Sequence, residues 1–249
     1  MSALEQLTMS LYVENRTSFI DGLHLNNEIQ SRMPNLSTFI FNIHTNNVHF
    51  SEDDRPSSDN IRRTFIQGTS FDCYVDYDWS GAGRCHIYSL PLPLTHFHGI
   101  TNNFPGGQFI YVRTLCVIDT MCPFEHEFFQ RISHSFPLLR SISVFNLLEQ
   151  KRSEQCLDDE RVSSIVEYSH LTELDLEYAH SDYVEQFLVD TRISLPRLNV
   201  LRVQYEHLTM VTENFTNNAP RLNCAKVKRL ITEVTMVHSK EVYSYFPSL

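Results

Sequence analysis

The sequence has no apolar run that approaches the roughly 20 residues needed to cross a bilayer. Its first residues, MSALEQLTMSLYVENRT, lack the basic start and apolar block of a signal peptide. A cytoplasmic or nuclear chain with no membrane contact is expected. Cations are short as well: 20 Lys and Arg face 30 Asp and Glu, for a formal net charge of −10. Phosphate backbones are held by clustered Lys and Arg, so this balance argues against nucleic acid and for a basic or neutral partner. The six cysteines, Cys73, Cys85, Cys116, Cys122, Cys156 and Cys224, show no C-x-x-C spacing. In a chain of ordinary size that pattern reads as buried reduced thiols rather than disulfides or zinc ligands. There is no nucleophile elbow, Walker motif, catalytic Cys-His pairing or helical His-Glu zinc motif, and Gly81-Ala-Gly83 lacks the third glycine of a phosphate loop. The expectation is a non-enzyme with neither cofactor nor metal.

What is present is a core-forming composition, 42% apolar and 12% aromatic, and a recurring phrase. An apolar or aromatic residue, Pro, any residue and Leu occur together at Met33–Leu36, Phe136–Leu139, Leu195–Leu198, Ala219–Leu222 and Phe246–Leu249, with a degenerate copy at Tyr168–Leu171. Following several of these is the alternation Leu-x-x-Leu-x-Leu or its apolar equivalent. It occurs at Leu36, Phe39, Phe41; at Leu139, Ile142, Val144; at Leu171, Leu174, Leu176; and at Leu198, Leu201, Val203. Without the proline it recurs at Leu4, Leu7, Met9, at Val112, Leu115, Val117 and, more weakly, at Val227, Leu230, Thr232. The last five starts are spaced by 27, 32, 27 and 29 residues. Each alternation is a half-buried strand.

Helical patterns fill the intervals. In SDYVEQFLVDTRIS, Ser181 is positioned to cap and Val184, Phe187 and Leu188 share a face. PFEHEFFQRISHSF stacks Phe124, Phe128 and Ile132, and DDERVSSIVEYSHL places Val162, Ile165 and Val166 together. The prolines end each helix and begin the next strand, where a missing N–H costs little. Units of strand, turn, helix and turn bury their apolar sides only by stacking. The expected fold is α/β: a solenoid with a parallel concave sheet and convex helices. A doubly wound sheet would need strands apolar on both faces, whereas Glu173, Asp175, Glu177, Arg202 and Gln204 lie between the core positions.

One domain over 1–249 is expected, interrupted by an irregular insert at about 45–109, because 76 residues separate Leu36 from Val112. HFSEDDRPSSDN reads as an exposed loop. Phe71–Tyr77 and Cys85–Leu90 around DWSGAGR read as a hairpin, and LPLPLTHFHGITNNFPGG excludes a long helix. The chain ends at FPSL, where another strand should begin, and neither end reads as a polar capping unit; a fragment is expected.

On LTELDL, the helix after it and LPRLNVLRV, the sequence resembles the leucine-rich repeat superfamily over roughly 1–42 and 109–249, and is most similar to the divergent repeats of F-box proteins. In that family the repeats capture substrates for cullin-type ubiquitin ligases, and a preceding helical F-box docks the ligase adaptor. The resemblance therefore implies a protein-binding scaffold, the substrate-recognition part of a ligase subunit lacking its F-box; an adaptor would be a partner only if an F-box lies upstream. The asparagine that closes the turn after a strand in regular repeats is found here at Asn146.

Two sets of residues are candidates for function. The first is the concave face. By register it carries Thr114, Cys116 and Ile118; Ser141, Ser143 and Phe145; Glu173, Asp175 and Glu177; Val200, Arg202 and Gln204; Arg229, Ile231 and Glu233. The acidic strip would suit a basic protein segment, with Ser143, Phe145, Val200, Arg202 and Gln204 around it. The second set supports an alternative, a metal-dependent hydrolase with its site in 71–98: His96 and His98, joined by Asp76, Asp78 or Glu125. Glu125-His126-Glu127 also fits a helix start favoured by its dipole, and Trp79 with Asp76 and Asp78 fits either a ligand-gripping loop or a hairpin whose aromatics pack on the first helices.

Overall fold

The computed structural model describes residues 4–151, 165–189, 191–233 and 239–249. Their contacts group into two units, 1–92 with 103–105, and 93–102 with 106–249.

The first unit contains β1 (Gln6–Val13), α1 (Gly22–Glu28), β2 (Thr38–His49), α2 (Ser58–Arg62), β3 (Phe71–Tyr77) and β4 (Ala82–Ser89). The strands form one sheet in the order β1-β2-β4-β3. β1 and β2 pair in parallel with Leu7 beside Phe39 and Met9 beside Phe41, the register their shared alternation requires. The other side of β2 takes β4 antiparallel, with a bulge at Asn46-Asn47 where Asn47 adopts φ +54°. One face of this sheet is a core of Phe41, Ile43, Cys73, Val75, Cys85 and Ile87 under Phe19, Leu25 and Ile61. The expected hairpin forms, with β3 antiparallel to β4. Its turn is closed by Asp78, whose carboxylate accepts from the N–H groups of Ser80 and Ala82 at 2.8 and 3.0 Å. Hydrogen bonds from the Ser80 side chain first, and from these amides, hold the Asp78 carboxyl below its usual range. The aromatics of this loop divide: Tyr77 packs on Phe19 and Phe50, but Trp79 is 87% exposed instead of packing inward.

The second unit carries β5 (His96–Ile100), β6 (Thr114–Ile118), α3 (His126–Ser135), β7 (Ser141–Asn146), β8 (Val166–Glu167), β9 (Glu173–Ala179), α4 (Ser181–Leu188), β10 (Ile193–Ser194), β11 (Val200–Val203), α5 (Tyr205–Val211), α6 (Arg221–Cys224), β12 (Arg229–Ile231) and α7 (Lys240–Tyr245). Six strands form a wholly parallel sheet in the order β12-β11-β9-β7-β6-β5. Five of them follow the alternations at Val112, Leu139, Leu171, Leu198 and Val227, laid side by side in sequence order. The sixth, β5, comes from the stretch expected to be insert. The strand pairs β1 and β2, which share the alternation, belong to the other sheet.

Register explains the order. Leu115, Ile142, Leu174 and Leu201 are lateral neighbours and at most 1% exposed, and Val117, Val144, Leu176 and Val203 make a second buried row. Each such side chain contributes roughly 1.5–3 kcal/mol when fully buried. Phe97 of β5 extends the first row beside Leu115 and packs with Phe109 and Phe136 from the intervening segments at 5.0–5.9 Å between ring centroids, while Phe129 meets Phe187 at 4.8 Å. Tyr183 donates nothing to solvent; its hydroxyl accepts from the N–H of Phe124 at 3.0 Å. Buried Asn223 binds the end of α4 and the chain after it, donating to the carbonyls of Phe187, Leu188 and Ile193 and accepting from the N–H of Leu195.

Several local expectations are corrected. Half of the helix read over DDERVSSIVEYSHL falls outside the described residues, and its described half contains the strand β8, which pairs with β10. Successive β-branched Ile165 and Val166 favour this extended form. The cap of α4 is the ring nitrogen of His180, one residue before Ser181. Pro196 follows β10 rather than ending a helix, and Pro220 begins α6 instead of a strand, leaving Leu222 exposed. Phe136 and Phe246, each just before a proline, do cap helix ends.

Candidate interaction surface

Strand polarity places the side chains between the buried rows on the opposite face of the six-stranded sheet. The predicted residues within the strands are accessible in whole or part: Thr114, Cys116, Ile118, Ser141, Ser143, Phe145, Glu173, Asp175, Glu177, Val200, Arg202, Arg229 and Ile231; Gln204 and Glu233, also accessible, lie just past the ends of β11 and β12. Lateral pairing groups Thr114, Ser141, Glu173, Val200 and Arg229 into one row and Cys116, Ser143, Asp175, Arg202 and Ile231 into the next.

The acidic strip is partly compensated by its neighbour. Arg202 places Nε 3.5 Å from Asp175 and Nη1 3.5 Å from Glu177. Gln204 donates to the Glu177 carbonyl at 2.8 Å, and the Glu177 N–H donates to the Asp175 carboxylate at 3.1 Å. Partial burial raises the Asp175 pKa, with the charge of Glu177 adding to it; the Glu177 N–H and Arg202 act in the other direction without cancelling the rise. Glu173 is exposed and forms no ion pair among the described residues. Glu233 has a local task, accepting from the N–H of Tyr205 at 2.9 Å at the start of α5.

In one row the sequence register is off by a residue. A bulge between β7 and β9 sets Phe145 beside Tyr178, not Glu177. The two rings stack at 5.3 Å and 10°, and Tyr178 is 53% exposed. Strict alternation hides Tyr178. The signal for it is that Glu177, Tyr178 and Ala179 cannot all alternate if buried Ala179 pairs with Asn146.

At the end of β7, Asn146 closes a turn, donating to the Cys122 carbonyl at 2.8 Å and accepting from the N–H of Leu148 at 3.0 Å. Asp119 does the same one rung earlier: it is buried and accepts from the N–H groups of Met121, Cys122 and Asn102. A search for asparagine alone misses it, since a carboxylate also satisfies clustered N–H donors.

The alternative residues are divided between the two units. His96 and His98 stand exposed on β5 with near-parallel rings 6.2 Å apart. Asp76 and Asp78 belong to the first unit, and Glu125 precedes α3, its carboxylate accepting from the N–H of Lys151. Among the described residues no three His, Cys, Asp or Glu side chains are grouped to hold a metal ion. Burial raises the Cys116 thiol on the open face, which makes it a poor nucleophile. The face thus carries a stacked aromatic pair, carboxylates, the guanidiniums of Arg202 and Arg229 and an amide. No helix of the described residues is long and apolar enough to cross a membrane. Comparison of the chain with models of known families, with curated proteins and with solved structures finds no match.

Proposed function

We propose that the chain is a non-catalytic protein-interaction scaffold, a leucine-rich-repeat-like solenoid whose open sheet face receives a partner segment. The observation that carries this reading is the continuity of that face. Successive parallel strands present accessible side chains in register, and at its centre Asp175, Glu177 and Arg202 adjoin the Phe145–Tyr178 pair. A basic residue of the partner would meet Glu173 and Asp175 while its chain packs on Tyr178, joining charge complementarity to an aromatic anchor.

The test is affinity purification from cells with the native chain and two variants, Glu173→Lys with Asp175→Lys, and Tyr178→Ala. Partners retained by the native chain should be lost from both variants while their circular dichroism stays native. Undiminished recovery from both would sink the proposal. The resemblance to F-box proteins extends it to substrate recognition for a ubiquitin ligase. That part is tested separately, by co-purification of the ligase adaptor with the full-length gene product; a product that lacks an F-box and fails to retain the adaptor removes it.

A further inference from the structure

The four ends of the two larger sheets are unlike one another. The edge of β3 is covered by side chains: Ser58 accepts from the N–H of Val75, and Arg62 and Asn103 donate to the carbonyls of Cys73 and Val75. β12 has three residues, and β5 is shifted in register between Phe97 and Ile100. Short, irregular or covered edges resist pairing with another chain. β1 has none of these protections. It is eight residues long, QLTMSLYV, with no charge, proline or bulge, and among the described residues it pairs on one side only.

Its free side can be specified. The Glu5 carbonyl accepts from the N–H of Thr38, so odd-numbered residues bond to β2, and by parallel geometry the backbone groups of Gln6, Thr8, Ser10 and Tyr12 point away. Odd side chains Leu7, Met9, Leu11 and Val13 continue the apolar face beyond the edge, with Leu11 40% exposed, and on the other face Tyr12 is 63% exposed.

We propose that this edge binds a second copy of itself, β1 antiparallel to β1 about a two-fold axis at Ser10. Two-fold pairing of identical strands must match even residues with even and odd with odd. The register centred on Ser10 sets Leu7 against Val13, Met9 against Leu11, Thr8 against Tyr12 and Gln6 against Glu14, so apolar meets apolar and no like charges oppose. The register centred on Met9 would instead set Glu5 against Val13. The result is one continuous sheet through two chains, independent of any partner on the six-stranded sheet. A strand-to-strand contact of this length is a small interface, so association is expected in the micromolar range.

Sedimentation equilibrium of the 249-residue chain should show a concentration-dependent shift from 29.1 kDa to twice that mass. Ser10→Pro, which removes an outward N–H without touching the ladder to β2, and Leu11→Lys should each abolish the shift with circular dichroism unchanged. Under mild oxidation Ser10→Cys should form a linked dimer well beyond the background of the native cysteines, since Cα atoms in a directly opposed pair lie about 5.5 Å apart, within disulfide range. Thr8→Cys should not. A single 29.1 kDa species at about 100 μM would overturn the proposal. Linkage through Met9→Cys or Thr8→Cys instead of Ser10→Cys would overturn the register.

Discussion

In the six-stranded sheet the residues between the core leucines stay accessible, whereas in the middle of the four-stranded sheet the corresponding residues of β2, β3 and β4 are as buried as the core, although Ile40, Asp72, Asp76 and Arg84 nearer the strand ends are partly accessible. Asn42, His44, Tyr74, His86 and Tyr88 are all 4% exposed or less. They survive burial through contacts within their own sheet. His86 lies between two partners, Nε2 2.7 Å from the Asn42 carbonyl oxygen and Nδ1 2.9 Å from the Tyr74 hydroxyl, and its ring stacks on His44 at 3.6 Å. Because an amide oxygen only accepts, Nε2 carries the proton and Nδ1 accepts from Tyr74. A polar residue at an outward position of an alternating strand is therefore not proof of an open face.

The largest expected effect lies in the buried rows of the open-faced sheet. Leu174→Asp or Leu201→Asp puts a carboxylate where the present side chain is at most 1% exposed, and should cost about 3–5 kcal/mol. Glu173→Lys with Asp175→Lys should leave the urea midpoint almost unmoved. Comparable losses from the two kinds of substitution would mean that the faces have been assigned the wrong way round.

The next effect belongs to the other sheet and depends on pH. Burial, and then the neighbouring His44, depress the His86 pKa well below 6.5, so the folded state favours neutral imidazole. A base with a lowered folded pKa gives its full stability above the unfolded value and loses it as pH falls below about 6.5 toward the folded one. Amides of β2 and β4 should lose hydrogen-exchange protection in that window, after correction for intrinsic rates, while those of β7 and β9 keep theirs. His86→Phe should remove the difference. Parallel loss in both sheets of the native chain would show that His86 is not its source.

This contrast marks how far the sequence could be read. The rows from Leu115 to Leu201 were legible because period-two alternation and a near-constant spacing both demand lateral stacking, and the structure pairs those residues one to one. The first sheet was only half legible. Leu7 and Met9 align with Phe39 and Phe41 as the pattern requires, but nothing in the alternation says that β2 takes the hairpin strand β4 on its other side. β5 was missed because HFHGI is short, interrupted by glycine and flanked by prolines, so its place in the sheet is fixed by neighbours rather than by propensity. On the candidate surface the residues were legible and the bulge was not, since one extra residue in β9 changes Tyr178 from an unremarked position into the partner of Phe145.

That bulge supplies a smaller test. Tyr178→Ala removes a stacked pair on an exposed face and should cost about 0.5–1.5 kcal/mol of stability. If Tyr178 anchors a partner, the loss in affinity should exceed the loss in stability, a comparison available from a binding isotherm and a urea titration on the same sample. Equal changes would assign the ring to folding alone.

The smallest expected change is Arg202→Ala. Its two contacts at 3.5 Å join half-exposed groups in solvent, where such pairs contribute about 0–1 kcal/mol, so the urea midpoint should barely move. The Asp175 carboxyl is the more sensitive reporter. Its pKa is already raised by burial, which means that ionising it opposes folding: its contribution is most favourable while it is protonated and declines as pH rises through the raised value. Arg202 counters that decline. Removing the guanidinium should move the carboxyl resonance of Asp175 to a still higher titration midpoint, and an unchanged midpoint would show that Arg202 lies alongside the acidic strip without acting on it.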